Sequence, residues 1–288
     1  MKRSATPWLL VAPAQLLLIG VIGLPSLYVM WLSLTQSSYG QAPVWVGLRN
    51  YETVLSDPYF WRALWNTLIV VNIVVYGELV LALAIAVLFA GGVPMRRAMI
   101  AVVLAPYAVS EVVAVMVWSY LMEPDIGPLT HALDWLGLPP LDWAIRPSHA
   151  LGLVGIINVW MHLPFTFILL YTGLLAIPAE LYEAARIDGA GPWTEFRRIT
   201  LPILMPSILV AILFRIIFAF RMFSEVWLLT QGGPARQTEV VALYLYVTGF
   251  RYGDFGGAAA IGVLMLLGSL ALSVFWLRRA YRGMFANA

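Results

Sequence analysis

Five ionisable side chains, Glu78, Glu111, Arg215, Arg221 and Glu225, stand within long stretches that are otherwise almost free of charge. Inside a membrane-spanning helix each such group costs about 2.5–3.5 kcal/mol on insertion scales, so it faces protein or a wet cavity and marks a candidate site. The chemistry open to these groups is recognition: charged hydrogen bonds to the hydroxyls of a solute. Arg221 and Glu225 are four residues apart. On one continuous helix that makes them neighbours and an ion pair, which either presents charge to a solute or only staples helices together. Asn72 and Glu78 are six apart and lie on different faces of one stretch, while Glu111 sits beside Ser110 and Tyr107. Arg215 is expected to pair with a buried acid at similar depth, Glu78. Tyr244, Tyr246 and Trp227 offer ring faces to sugar C–H groups, although such residues more commonly mark the headgroup level of a membrane.

Groups for bond-making chemistry are missing. There is no cysteine, which removes disulfides, thiolate metal sites and cysteine nucleophiles. His131, His149 and His162 share no metal-ligand spacing. The phosphate loop G-x-x-x-x-G-K-[ST], the H-E-x-x-H zinc pair and the G-x-S-x-G elbow do not occur. The chain is therefore expected to be no enzyme, to bind no metal or cofactor of its own, and to draw energy from a partner.

The elements that must position these residues follow from composition. Of 288 residues, 61% are hydrophobic and 11% charged, against about 25% charged in an ordinary soluble domain. A net charge of +2 is too small to suggest nucleic acid. Crossing the hydrocarbon core takes roughly 20 apolar residues. The windows that qualify are approximately 8–34, 64–90, 98–121, 150–176, 207–230 and 256–277. None alternates as a barrel strand would, so the fold class is all-α integral membrane with six transmembrane helices. The first window is too long for a secretory signal and lacks a clear cleavage site, so it is read as a helix that stays. With the N-terminus inside, ten Lys and Arg fall in cytoplasmic pieces, among them Lys2, Arg3, Arg96, Arg97 and Arg186, and five in outer loops. That asymmetry predicts cytoplasmic N- and C-termini.

It also places a polar island, 177–206, in the cytoplasm. No Asp, Glu, Lys or Arg occurs between Arg146 and Glu180, and then Glu183, Arg186 and Asp188 follow closely. Pro178 suits the first position of a helix, Glu180 its first turn, and Asp188-Gly189 its end. A second short helix is expected from Pro192, broken by Pro202 and Pro206 ahead of the fifth span. Leu181, Ala184, Ala185 and Asp188 recur at i, i+3, i+4 and i+7. They share a flat face that can dock a protein or rest on lipid headgroups.

Glu183-Ala184-Ala185, Asp188-Gly189-Ala190, Phe196, Ile199, Leu201-Pro202 and Pro206 resemble the EAA loop of the membrane subunits of binding-protein-dependent ABC importers. The likeness runs from about Asn50 onward. Trp118, Pro124, Gly127 and Leu129, then Leu174 and Ile177 to Tyr182, are similar to the carbohydrate branch. Phe220-Arg221-Met222-Phe223, Leu229-Thr230, Gly232-Gly233-Pro234, Thr238 and Tyr244 are similar to the subunit type of the larger maltose permease, in a compact six-helix form. Glu225 stands where that type often has Asp.

The resemblance implies a type I ABC importer permease fold and a multi-pass protein of a bacterial-type cytoplasmic membrane. It implies ATPase coupling through Leu181, Glu183, Ala184, Ala185, Asp188, Gly189 and Ala190, and a substrate pathway for which Asn72, Glu78, Glu111, Arg221, Glu225 and Tyr244 are candidates. The partners implied are a second, non-identical permease, a cytoplasmic ATPase dimer that binds ATP and Mg, an extracytoplasmic solute-binding protein and the lipid bilayer, with no nucleic acid. The solute is expected to be a sugar or a related compound such as glycerol phosphate. The second class is a carrier or membrane enzyme working alone. Secondary carriers commonly show inverted repeats with matched broken helices, and no clear repeat of the island is found.

Overall fold

The computed structural model describes residues 6–285. Lys2 and Arg3, on which part of the orientation count rests, lie outside the described residues. Among those residues the only strands form a short antiparallel hairpin, Thr35–Gln36 against Val44–Trp45. Five helices are long and apolar enough to cross a membrane: Leu10–Leu32, Pro58–Ala90, Pro147–Leu175, Pro192–Phe220 and Phe255–Arg278.

The stretch expected as one span over 98–121 is instead two helices, Arg96–Ala108 and Glu111–Leu121, bent by 102°, the geometry of a broken span or of a re-entrant loop. The break has local causes. Pro106 has no N–H to give the helical ladder, and the chain tightens into a 3₁₀ turn over Ala105–Ala108. Val109 and Ser110 are extended, and the Ser110 hydroxyl accepts from Val113 N, capping a new helix with Glu111 in its first turn.

The fifth span also departs from expectation. Its helix starts at Pro192 within the island, runs through Pro202 and Pro206 without interruption, and stops at Phe220 rather than Thr230. A π turn over Phe196–Thr200 precedes Pro202. Wider i→i+5 bonding loosens the ladder there, so the N–H that Pro202 lacks leaves no break. The fourth helix likewise continues past Pro164.

The chain forms two compact units. One holds the described residues up to Trp61 together with Tyr244–Leu267. In its first helix no described side chain is buried. Asn50 Nδ2 clamps the chain beyond that helix by donating to the carbonyls of Ser33 and Thr35 at 2.9 and 2.8 Å. Tyr39 meets Phe255 edge-on with centroids 4.7 Å apart. Gly256 packs so closely that a Cβ there would overlap the carbonyl oxygen of Thr35.

The other unit holds Arg62–Leu243 and the described residues from Gly268 on. Its core is built by the second, fourth and fifth spans. Phe89, Phe167 and Tyr171 stack and cross with centroids 5.2–6.2 Å apart. Gly173 lets the fourth and fifth helices approach: a Cβ there would come within 2.7 Å of Leu204 Cδ1 and 2.8 Å of Ser207 Oγ. Small residues at such crossings supply the close packing that holds helices together in lipid.

Gly256 gives a direct test of the packing. Gly256→Ala drives a methyl group into backbone that cannot rotate away, and it should cost about 3 kcal/mol. Gly152→Ala, where nothing lies within 4 Å, should be silent. Melting of the two purified variants in detergent compares them; equal midpoints would contradict the packing described.

Candidate functional site

Four buried side chains form one polar chain through the second unit. Arg215 Nε lies 2.7 Å from Glu78 Oε2. Arg215 Nη2 donates to Asn158 Oδ1 at 2.7 Å, and Asn158 Nδ2 donates to Glu225 Oε1 at 2.6 Å. The Thr166 hydroxyl donates to the other oxygen of Glu78. Exposures of 0% for Glu78, 2% for Arg215, 3% for Asn158 and 3% for Glu225 make the chain internal. An uncompensated charge at this depth is prohibitive, so each member needs the next. The pairing of Arg215 with Glu78, expected from depth, is present.

The expected pair Arg221–Glu225 is not. The helix ends at Phe220, Arg221 turns away with φ −96° and ψ 6°, and a separate half-helix, Ser224–Leu229, begins after Phe223 at φ −137° and ψ −54°. Four-residue spacing confers a shared face only on unbroken helix. Arg221 is left exposed, while Glu225 turns inward to Asn158.

The remaining pathway candidates separate by exposure. Asn72 donates to the Leu68 carbonyl of its own helix at 2.7 Å. It borders a void of about 10 Å³ with Tyr76 and Trp276, room for one water at most. Tyr244, in the other unit, is buried and donates to Asp57 Oδ2 at 2.6 Å. Glu111 and Arg221 are exposed, and each stands at the break of a span. The half-helices that follow the breaks, Glu111–Leu121 and Ser224–Leu229, pack on each other. Irregular backbone at membrane depth is tolerated where protein covers it or water reaches it, and here each half-helix covers the other.

Asn158 and Thr166 were not foreseen as site residues. A signal was present: Asn158, His162 and Thr166 recur every four residues in an uncharged run, a polar stripe down one face of the fourth span.

The island is a rigid hairpin. Its first helix is Ala179–Ile187, with Pro178 one place earlier than expected, at the cap. It closes with Gly189 N donating to Arg186 O at 3.1 Å and Ala190 N to Ala185 O at 2.8 Å. Gly189, at φ +78°, supplies the left-handed residue such an ending requires. Arg186 Nε bonds Glu195 Oε1 at 3.0 Å across the turn. That hydrogen bond, helped by the charge of Glu195, raises the Arg186 pKa. Tyr182 and Thr200 share a hydroxyl contact of 2.9 Å.

Ala185, Asp188, Gly189 and Ala190 line one side of a groove of about 460 Å³, with Thr194 and Glu195 opposite. The expected flat face is thus partly a groove wall. The most exposed large apolar residues of the island are Ile187, 86% exposed, and Trp193, 71% exposed.

Residues 4–284 match the family described as binding-protein-dependent transport system inner membrane component. The chain is 34% identical over 278 residues to the trehalose/maltose transport system permease protein MalF of Thermococcus litoralis, covering 96% of this chain and 94% of that protein. It is 35% identical over 277 residues to the trehalose transport system permease protein SugA of Mycobacterium tuberculosis, covering 96% and 88%. Among solved structures, a chain of a bacterial alginate ABC transporter in complex with an alginate pentasaccharide-bound periplasmic protein superposes with a TM-score of 0.80 at 23% identity, covering 96% and 95%.

Removing one end of the buried pair should be worse than removing both. Arg215→Met leaves Glu78 uncompensated and is expected to cost about 3–5 kcal/mol, whereas Arg215→Met with Glu78→Met should recover most of that loss, Glu225 keeping its bond from Asn158. Thermal unfolding of the purified variants reads the difference, and a double variant as unstable as the single would refute the pairing.

Proposed function

The chain belongs to the family of binding-protein-dependent transport system inner membrane components, and on that premise we propose that it forms half of a sugar importer's pathway and receives ATP-driven motion at the island 177–206. It is a multi-pass permease of the inner membrane with the fold of type I ABC importer permeases. Family membership sets aside a carrier working alone.

The observation that carries the coupling role is the exposure of Ile187 and Trp193 on a hairpin locked by Arg186–Glu195 and the Gly189 turn. Exposed apolar side chains held on a stiff frame are the anchors that fill a partner's pocket. In this reading the partner is a cytoplasmic ATPase dimer that holds ATP and Mg. It meets Leu181, Glu183, Ala184, Ala185, Asp188, Gly189 and Ala190, with Ile187 and Trp193 as the anchors. The island then faces the cytoplasm, as do both termini, in keeping with the excess of basic residues on that side. A second, non-identical permease and an extracytoplasmic solute-binding protein complete the assembly.

A sugar as solute is supported by the relatives named for trehalose and maltose. Within this chain the solute would pass Glu111 and Arg221, the exposed ionisable groups at the two breaks, where charged hydrogen bonds reach hydroxyls.

Ile187→Asp and Trp193→Ala should each reduce the ATPase that co-purifies with the complex by about tenfold or more, as loss of an interface anchor worth about 1.4 kcal/mol or more does. Undiminished co-purification in both would sink the docking role. Arg221→Ala and Glu111→Ala should instead leave the ATPase bound and raise the KM for trehalose uptake into vesicles; unchanged uptake kinetics would remove them from the pathway.

A further inference from the structure

The helix Pro192–Phe220 begins in the island and carries Arg215 four residues after Ala211, inside the buried core. Any force received at the island therefore reaches Arg215 through unbroken helix. Beyond Phe220 the backbone no longer transmits it. Arg221 and Met222 close tight turns onto Phe218 and Ala219, Phe223 leaves helical geometry, and Ser224–Leu229 starts afresh. Yet Ser224–Leu229 is the segment that packs on Glu111–Leu121, the half-helix after the other break. Across the gap runs a buried side-chain route: Arg215 Nη2 to Asn158 Oδ1 at 2.7 Å, and Asn158 Nδ2 to Glu225 Oε1 at 2.6 Å.

We propose that Asn158 is a positioning residue that relays movement of the helix Pro192–Phe220 to the half-helix Ser224–Leu229. The proposal rests on the coupling role of the island. Its chemical basis is the amide itself, which accepts from a cation on one side and donates to an anion on the other. No other single side chain of this size gives both ends a charge-assisted bond without adding charge. Asp would keep the bond from Arg215 but set a carboxylate against Glu225. Leu would keep the volume and break both bonds. Glu78 lies 2.7 Å from Nε, on the same edge of the guanidinium as the Nη2 that bonds Asn158, so Arg215 has little freedom to follow one partner alone.

The chain has no cysteine, so single cysteines can be introduced for nitroxide labels at Val210, on the long helix, and at Leu228, on the half-helix; both are partly exposed. The chain is purified with its ATPase and permease partners in phospholipid nanodiscs, and line shapes are recorded with and without ATP and vanadate. In the parent both labels should respond. In Asn158→Asp the Val210 label should respond and the Leu228 label should not. Adding Glu225→Gln returns a donor opposite the new carboxylate and should restore the Leu228 response.

Asn158→Leu with Glu225→Leu keeps the helices packed without polar links, and there the Leu228 label should stay silent. A Leu228 response in that apolar pair, or in Asn158→Asp alone, overturns the relay. So does loss of both responses in Asn158→Asp, which places Asn158 in the frame and not between the two segments, or failure of Glu225→Gln to restore. If neither label responds in the parent, the coupling role of the island fails first and the relay falls with it.

Discussion

The second unit is organised around one buried cation. Arg215 cannot be deprotonated at any ordinary pH, so folding must supply enough partners to replace its water. Glu78 comes from the second span, Asn158 from the fourth and Glu225 from the half-helix after the fifth. Three separate segments are thereby held in register with the helix that carries the charge. In hydrocarbon, where apolar surfaces give helices no solvent-driven reason to associate, such a polar centre and close packing at small residues determine which helices meet. The aromatic cluster of Phe89, Phe167 and Tyr171 and the crossing at Gly173 supply the packing.

The same demand for partners governs the backbone. Where the third span opens at Pro106, Ser110 caps the new helix and Glu111 sits on its positive end. Where the fifth stops at Phe220, Glu225 falls in the first turn of the following half-helix while its carboxylate reaches Asn158. At the first interruption a side chain thus caps a backbone amide, whereas at the second the acid is engaged by Asn158. Both interruptions leave the flanking side chains Glu111 and Arg221 exposed, while Glu78 and Glu225 are buried.

Much of this was legible in the amino-acid order. The apolar runs are long enough to need a membrane, and Asp188-Gly189 announces a helix end because few residues other than glycine adopt its backbone angles at low cost. The bend after Ala108 was less visible, since one proline within a helix-length run is as compatible with a kink as with a break. The stop at Phe220 has no local marker: Phe220-Arg221-Met222-Phe223-Ser224 contains neither glycine nor proline. What ends the helix there is tertiary, and Glu225 bonds Asn158 from its own separate segment. Pro202 misled in the opposite direction, because the π turn before it loosens the bonding that proline would have broken. Asn158 was hidden by being neutral. Its importance lies in what stands on either side of it, and that is a property of three helices together.

The π turn at Phe196–Thr200 has a mechanical consequence. It lets the second arm of the hairpin run on into the fifth span, as one helix of 29 residues from Pro192 to Phe220 that serves as a lever. At 1.5 Å per residue the lever is about 43 Å long, and a tilt of about 5° at one end sweeps the other through about 4 Å. A displacement of that order is comparable to the width of a hydroxyl group and its hydrogen bond. A few degrees of tilt at one end of this helix is therefore several ångströms of travel at the other.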